Sequence, residues 1–171
     1  MPNLDLLNSL TNEEAAAELL KCCGSRKFAS RLATLRPFAS VDDMCSEASK
    51  LWWSLESSDW LEAFRSHPKI GEKKAANDVS KQSQSWSSHE QSGVGGAQKQ
   101  TLDELAKLNR QYEEKFGYIY IVCATGKSSE EMLEILSSRM CNQPESELRI
   151  AAGEQEKITE LRLRKLVSEA N

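Results

Sequence analysis

No stretch of this chain approaches the ~20 consecutive apolar residues of a membrane-spanning helix. The opening residues, Met1-Pro2-Asn3-Leu4-Asp5, carry neither the charged nor the apolar region of a secretory leader, so none is expected. A basic stripe is also missing. The 22 Lys and Arg are interleaved with 26 Asp and Glu, for a net charge of -4, which argues against nucleic acid as the main partner. The five cysteines (Cys22, Cys23, Cys45, Cys123 and Cys141) form no C-x-x-C pair, and an odd number makes a poor disulfide framework. Buried thiols in a reducing compartment are expected. There are only two histidines, His67 and His89, without H-x-x-x-H spacing, so no metal site is expected. No internal repeat is visible. The last residues, Ser168-Glu169-Ala170-Asn171, are not a peroxisomal tripeptide. They read as the start of a linker or an engineered end, leaving residues 1–167 as the domain and room for a second one beyond.

What the chain does carry is a succession of capped amphipathic segments. Its 171 residues, 39% apolar and 28% charged, suit one domain with a sizeable core. Thr11-Asn12-Glu13-Glu14 is a capping box leading into good helix formers from Ala15 to Cys22, with Gly24 as the stop. Ser25 opens a second helix with Phe28, Leu32 and Leu35 on one face, closed by Pro37. Ser40 caps a third, bearing Met44, Ala48, Leu51, Trp52 and Leu55 at helical spacing. Ser57-Ser58-Asp59 caps a short fourth that holds Trp60, Leu61 and Phe64. Residues 71–85 are polar and read as a loop or a weak helix.

The clearest long helix runs from Gln98 to Phe116, with Leu102, Leu105, Leu108, Tyr112 and Phe116 in one stripe and Gly117 at its end. Ser128-Ser129-Glu130-Glu131 is a second capping box, before Met132, Leu133, Ile135, Leu136 and Met140. Pro144 suits the first turn of a last helix that runs to about Val167. One segment breaks the pattern. Tyr118 to Ala124 is aromatic and β-branched, so its local propensity is strand, yet no partner strand exists. It reads as a buried extended connection whose backbone groups must be paired, some of them by a ligand. The expected fold is all-α, a single domain of seven to eight helices.

Two polar clusters interrupt this pattern, and both histidines lie in them. In the first, Pro68 holds His67 extended after a capped helix, which is an economical way to aim an imidazole that titrates near neutrality. In the second, Glu90 follows Trp86-Ser87-Ser88-His89, with Gln91 and Ser92 behind it. Taken singly, each is better explained blandly: His67 as a surface histidine at a helix end, Glu90 as a solvated or capping carboxylate. Arg162, at the edge of the last apolar stripe, would ordinarily snorkel or pair with a carboxylate. It is also suited to neutralising an anion. His89 is expected to be exposed and not catalytic. Together the clusters hold the parts of a proton-transfer site for a small, polar, nitrogen-rich ligand.

His67-Pro68-x-Ile70-Gly71, Ser87-x-x-Glu90-Gln91, Leu108-Asn109-x-x-Tyr112-x-x-x-Phe116-Gly117 and Ile158-x-x-Leu161-Arg162-Leu163, in that order and spacing, resemble the OHCU decarboxylases of urate breakdown. Cys22-Cys23-Gly24-Ser25-Arg26, Arg36-Pro37-Phe38 and Trp52-Trp53-Ser54-Leu55 fit as well, and the likeness runs from about Leu7 to Val167. The resemblance implies an all-α homodimer that uses no cofactor and converts 2-oxo-4-hydroxy-4-carboxy-5-ureidoimidazoline to (S)-allantoin. It is strongest to the plant form, in which a transthyretin-like hydroxyisourate hydrolase domain is fused behind the decarboxylase. A peroxisomal or cytoplasmic setting is implied with it. Residue by residue, it implies His67 as catalytic proton donor, with Pro68 beside it at the substrate. Ser87, Glu90 and Gln91 become ligand contacts, Glu90 with a catalytic role, and Arg162 a catalytic cation with Arg164 as the alternative. Backbone amides of Ile119, Tyr120, Ile121, Val122 and Cys123 become substrate contacts. The chain departs from the family's Phe-Pro-Phe pattern at Tyr118-Ile119-Tyr120. The rival reading is a helical protein-binding module, with Trp52, Trp53 and Trp86 as exposed anchors.

Overall fold

A computed structural model describes residues 3–69, 86, 90 and 99–168 of the chain. Among them are eight helices and no strand: α1 (Leu4–Ser9), α2 (Asn12–Leu20), α3 (Arg26–Thr34), α4 (Val41–Ser54), α5 (Ser57–Arg65), α6 (Lys99–Phe116), α7 (Ser129–Arg139) and α8 (Pro144–Ser168). The all-α expectation holds. Residues 71–85, read above as loop or weak helix, lie outside the described residues.

The caps explain where the helices start. Thr11 accepts from the Glu14 amide while the Glu14 carboxylate accepts from the Thr11 amide, closing the expected box. Ser25, Ser40 and Ser128 each accept from the amide three residues on. On α5 the reaching side chain is Asp59, which accepts from the Glu56 amide at 3.2 Å. Two details differ from expectation. The six residues of α1, capped by Asn3, form a helix too short for a periodicity to announce it. And α2 stops at its Lys21 cap rather than at Gly24, so Cys22 and Cys23 lie past its end and are buried.

The chain forms two compact units, residues 1–63 with 156–171, and residues 64–155. In the first unit, Leu7, Leu19, Phe28, Leu32, Met44, Trp52, Leu163 and Leu166 are buried together with Trp60. Phe28 meets Trp52 edge-on at 6.0 Å, and the Trp60 indole donates to the Trp52 carbonyl at 2.9 Å. Arg36 gathers the carbonyls of Leu7, Leu10 and Ala33 and so ties the end of α1 to the end of α3. Leu35, expected on the apolar face, caps α3 and is exposed.

In the second unit, Leu105 and Tyr112 of α6 and Met132 and Leu136 of α7 enclose Tyr120, Val122 and Ala124 of the extended run. Gly117, at φ +86°, ends α6 in the left-handed conformation that a glycine adopts without steric cost. Beneath this core lies a buried polar knot. Glu147 is fully buried and accepts from Arg139, from the Tyr112 hydroxyl and, at 3.0 Å, from Asn142. Burial is the largest single influence and opposes the Arg139 charge, but the hydrogen bond to Glu147 and the Coulombic pull of Tyr112, Glu147 and Tyr120 together outweigh it, and the guanidinium pKa rises above its ordinary value.

Candidate active site

His67 follows the last turn of α5. Its amide donates to the Phe64 carbonyl at 3.2 Å, and Pro68 then carries the chain away from helix. Lys69 bridges to Glu113 of α6 at 3.0 Å, which fixes the far side of the turn. The imidazole is not at the surface: His67 is only 8% exposed. Its Nε2 lies 2.6 Å from Oε1 of Gln155, a residue of α8 that is wholly buried. A carbonyl oxygen only accepts, so the ring nitrogen donates.

Glu90 is also buried, at 8% exposure, and helical, as is Trp86. The solvated-carboxylate reading of Glu90 therefore fails, and so does the surface reading of His67. Ser87, His89 and Gln91 lie outside the described residues. Of the three tryptophans offered as exposed anchors, Trp52 and Trp86 are buried and Trp53 alone is exposed.

The extended run contributes backbone and aromatic surface. Tyr120, Ile121, Val122, Cys123 and Ala124 are buried, Ile119 partly so. Its carbonyls are held by cations: Arg139 donates to Ile121 O and Lys127 to Cys123 O, both at 2.7 Å. The Arg139 guanidinium also lies over the Tyr120 ring, 4.9 Å from its centroid. The Cys123 amide donates to Glu154 at 3.2 Å. No protein acceptor among the described residues meets the amides of Ile119, Tyr120, Ile121 and Val122.

Arg162 belongs to the first unit and is 3% exposed, next to the buried thiols of Cys22 and Cys23. Burial pushes the Cys23 thiol up to about 11, and Thr159, Ser25 and Arg162 each draw it back down. Arg164, the alternative, is exposed. It spends its guanidinium on Asp42 at 2.9 Å and on Glu160 at 3.0 Å.

Sequence reasoning missed Gln155, Glu154, Arg139 and Glu147. For Gln155 a signal exists: Gln155, Thr159 and Arg162 fall at i, i+4 and i+7 on α8, the spacing of one helical face. Arg139 carries no such signal, because an arginine in a last helical turn reads as an exposed complement to the helix dipole.

A family model described as OHCU decarboxylase matches residues 8–164. The chain belongs to the OHCU decarboxylase family. Among curated relatives of this OHCU decarboxylase-family chain, the "Uric acid degradation bifunctional protein TTL" of Arabidopsis thaliana is 40% identical over 149 residues, 86% of this chain and 46% of that protein. The 2-oxo-4-hydroxy-4-carboxy-5-ureidoimidazoline decarboxylase of Mus musculus is 33% identical over 135 residues, 77% of this chain and 74% of that protein. The chain thus spans less than half of the plant relative. A crystal structure of OHCU decarboxylase in the presence of (S)-allantoin superposes with a TM-score of 0.76 at 40% identity, covering 88% of this chain and 97% of that one. A crystal structure of (S)-allantoin synthase shares the fold, with a TM-score of 0.73 at 17% identity over 98% of this chain and 54% of that one. Among the described residues, no group of three His, Cys, Asp or Glu side chains is placed to hold a metal ion.

Proposed function

We propose that this chain decarboxylates 2-oxo-4-hydroxy-4-carboxy-5-ureidoimidazoline to (S)-allantoin without a cofactor, in urate breakdown. The observation that carries the reading is a buried histidine, hydrogen-bonded and set in a His-Pro turn, within a chain of this family. The substrate carries a carboxylate and a hydroxyl on one ring carbon. Loss of carbon dioxide leaves an electron pair there, which the conjugated C=N and carbonyl groups of the ring delocalise. The protein has three tasks: to hold the carboxylate out of the ring plane, to stabilise the enolate-like charge, and to protonate one face.

His67 is the proton donor in this reading, and one-sided delivery gives the S product. Glu90 accepts from the ring hydroxyl and orients it. In this reading Arg162, on the strength of the motifs, and the amides of Ile119, Tyr120, Ile121 and Val122, which meet no protein acceptor among the described residues, are the groups that stabilise developing negative charge. Pro68 follows the histidine at the substrate, and Ser87 and Gln91 are further ligand contacts on the strength of the motifs. The Cys123 amide, which donates to Glu154, joins them only by exchanging that acceptor for the ligand. The burial of His67, Glu90 and Arg162 supports these roles, because water-screened groups would stabilise little charge.

The test is to generate the substrate in situ from urate with urate oxidase and hydroxyisourate hydrolase, add this protein, and follow circular dichroism. Rapid appearance of optically pure (S)-allantoin, lost in His67→Asn, supports the reading. Racemic allantoin at the background rate sinks it.

The same reading takes residues 1–167 as one functional domain, supported by a family match that spans both compact units. It takes the active form as a homodimer. The exposed Leu35, Trp53 and Leu161 support a further apolar contact, and light scattering of the purified protein checks the mass. A fused transthyretin-like hydrolase domain follows from the likeness to the bifunctional plant protein. A peroxisomal or cytoplasmic setting is supported by the absence of any disulfide among five free cysteines. No helix among the described residues is long and apolar enough to cross a membrane.

A further inference from the structure

We propose that Gln155 is the positioning residue for His67, fixing the imidazole with its hydrogen on Nε2 so that Nδ1 is the nitrogen through which a proton reaches the ligand. The geometry is direct. Nε2 and Gln155 Oε1 are 2.6 Å apart, Gln155 is 0% exposed, and His67 is 8% exposed. An amide oxygen has lone pairs and no hydrogen, so Nε2–H is the donor in the neutral ring and in the imidazolium alike. The neutral ring then has its basic lone pair on Nδ1, and that is the position at which the second proton comes and goes.

Gln155 is suited to this task by where it stands. It projects from a helix interior rather than a loop, so its amide is held by packing on a rigid element. Both partners are out of water. If the amide oxygen were removed, the Nε2–H would be left without the acceptor it now has, and the other tautomer or another ring orientation would gain population. The amide is also neutral. It holds the ring without fixing a charge on it, whereas a carboxylate there would favour the imidazolium and hinder proton delivery.

The consequence for catalysis rests on the decarboxylase reading. The bond from the ring carbon to the carboxylate breaks, carbon dioxide leaves, and its bonding electron pair stays on the substrate. That pair forms a C=C bond to the neighbouring ureido-bearing carbon as the C=N electrons move onto nitrogen. Nδ1–H of the imidazolium then gives its proton to the ureido-bearing carbon, while the hydroxyl-bearing carbon becomes the carbonyl and its O–H proton passes to that nitrogen. The ring is left neutral with its hydrogen on Nε2, the form that Gln155 holds, and solvent restores the proton on Nδ1 before the next turnover. Gln155 touches no reacting atom in this scheme.

The experiment is a two-bond proton–nitrogen correlation spectrum of the imidazoles, recorded on the full chain above the histidine titration. The chain has only two histidines, and His89→Asn assigns them. The expected result is an Nε2–H pattern for His67 in the unaltered protein and a mixed-tautomer pattern in Gln155→Leu. Turnover, measured by circular dichroism, should fall roughly 10- to 100-fold in kcat for Gln155→Leu with a much smaller change in KM. Gln155→Glu keeps an acceptor oxygen; it should retain the Nε2–H pattern and lose less of kcat than the leucine variant. An Nδ1–H pattern in the unaltered protein overturns the proposal, and needs no variant to fold. So does a Gln155→Leu protein with the same pattern and the same kcat. Failure of the decarboxylase reading looks different: an intact Nε2–H pattern in a protein that forms no allantoin above background.

Discussion

Asn109 is 4% exposed, and its side-chain oxygen meets no hydrogen-bond partner among the described residues. It stands on α6 between Leu105 and Tyr112, both fully or almost fully buried. A buried acceptor without a partner costs about 1–3 kcal/mol. Leucine is nearly the same shape and carries no such penalty. Asn109→Leu should therefore leave the ligand-free protein as stable as before, or more stable by about 1 kcal/mol, in urea unfolding. A loss of stability beyond about 1 kcal/mol would mean that the oxygen is paired in solution. The two C-terminal arginines make a second contrast at this scale. Arg164 is exposed and occupied by Asp42 and Glu160, while Arg162 is buried. Arg164→Ala should keep turnover within about twofold, and Arg162→Ala should lose roughly 100-fold or more in kcat. The reverse ranking would move the catalytic cation to Arg164.

The elements divide into those that local chemistry dictates and one that it does not. Helices α2, α3, α4 and α7 begin where a serine or threonine side chain meets the amide three residues on, and such caps are written in four consecutive residues. That is why the helical order was readable directly. His67 was readable for the same kind of reason, since Pro68 constrains it locally. The extended run from Tyr118 to Ala124 was recognised as anomalous, but what holds it was not. Two of its supports, Arg139 and Glu154, meet it through tertiary contacts that no local spacing records, while Lys127 reaches the Cys123 carbonyl from four residues on. Gln155 was overlooked because a glutamine on a helix is ordinary until its partner is known. The knot behind the run yields a prediction of its own. Glu147→Ala leaves the Arg139 charge buried without its carboxylate, and breaking such a pair costs about 3–5 kcal/mol. The double replacement Arg139→Met with Glu147→Leu removes both charges, and its loss should be smaller than that of Glu147→Ala alone in chemical denaturation. A double variant as unstable as the single one would mean that the hydrogen bond to Ile121, not the charge pairing, is what the knot contributes.

At the scale of the whole molecule, both compact units bury acidic groups in their neutral form. Cys22 and Cys23 lie in the first, and Tyr112 in the second. Burial is the leading cause in each: it raises the thiols of Cys22 and Cys23, the latter to about 11, and it raises the Tyr112 phenol with the help of its hydrogen bond to Glu147. The unfolded chain releases these protons sooner. A thiol there ionises near 9.0, while folded Cys23 holds its proton until about 11. Between those values the unfolded state binds fewer protons than the folded one, so stability falls as pH rises. The protein should be insensitive to pH from 7 to about 8.5 and lose stability steadily from about pH 9 to 11, by up to about 3 kcal/mol for Cys23 alone. Urea midpoints across this range check it. Cys23→Ala should start lower, for the cavity it opens, and fall less steeply above pH 9. Since alanine cannot ionise in either state, an equally steep fall in that variant would assign the alkaline loss to the other buried groups and reject Cys23 as a contributor.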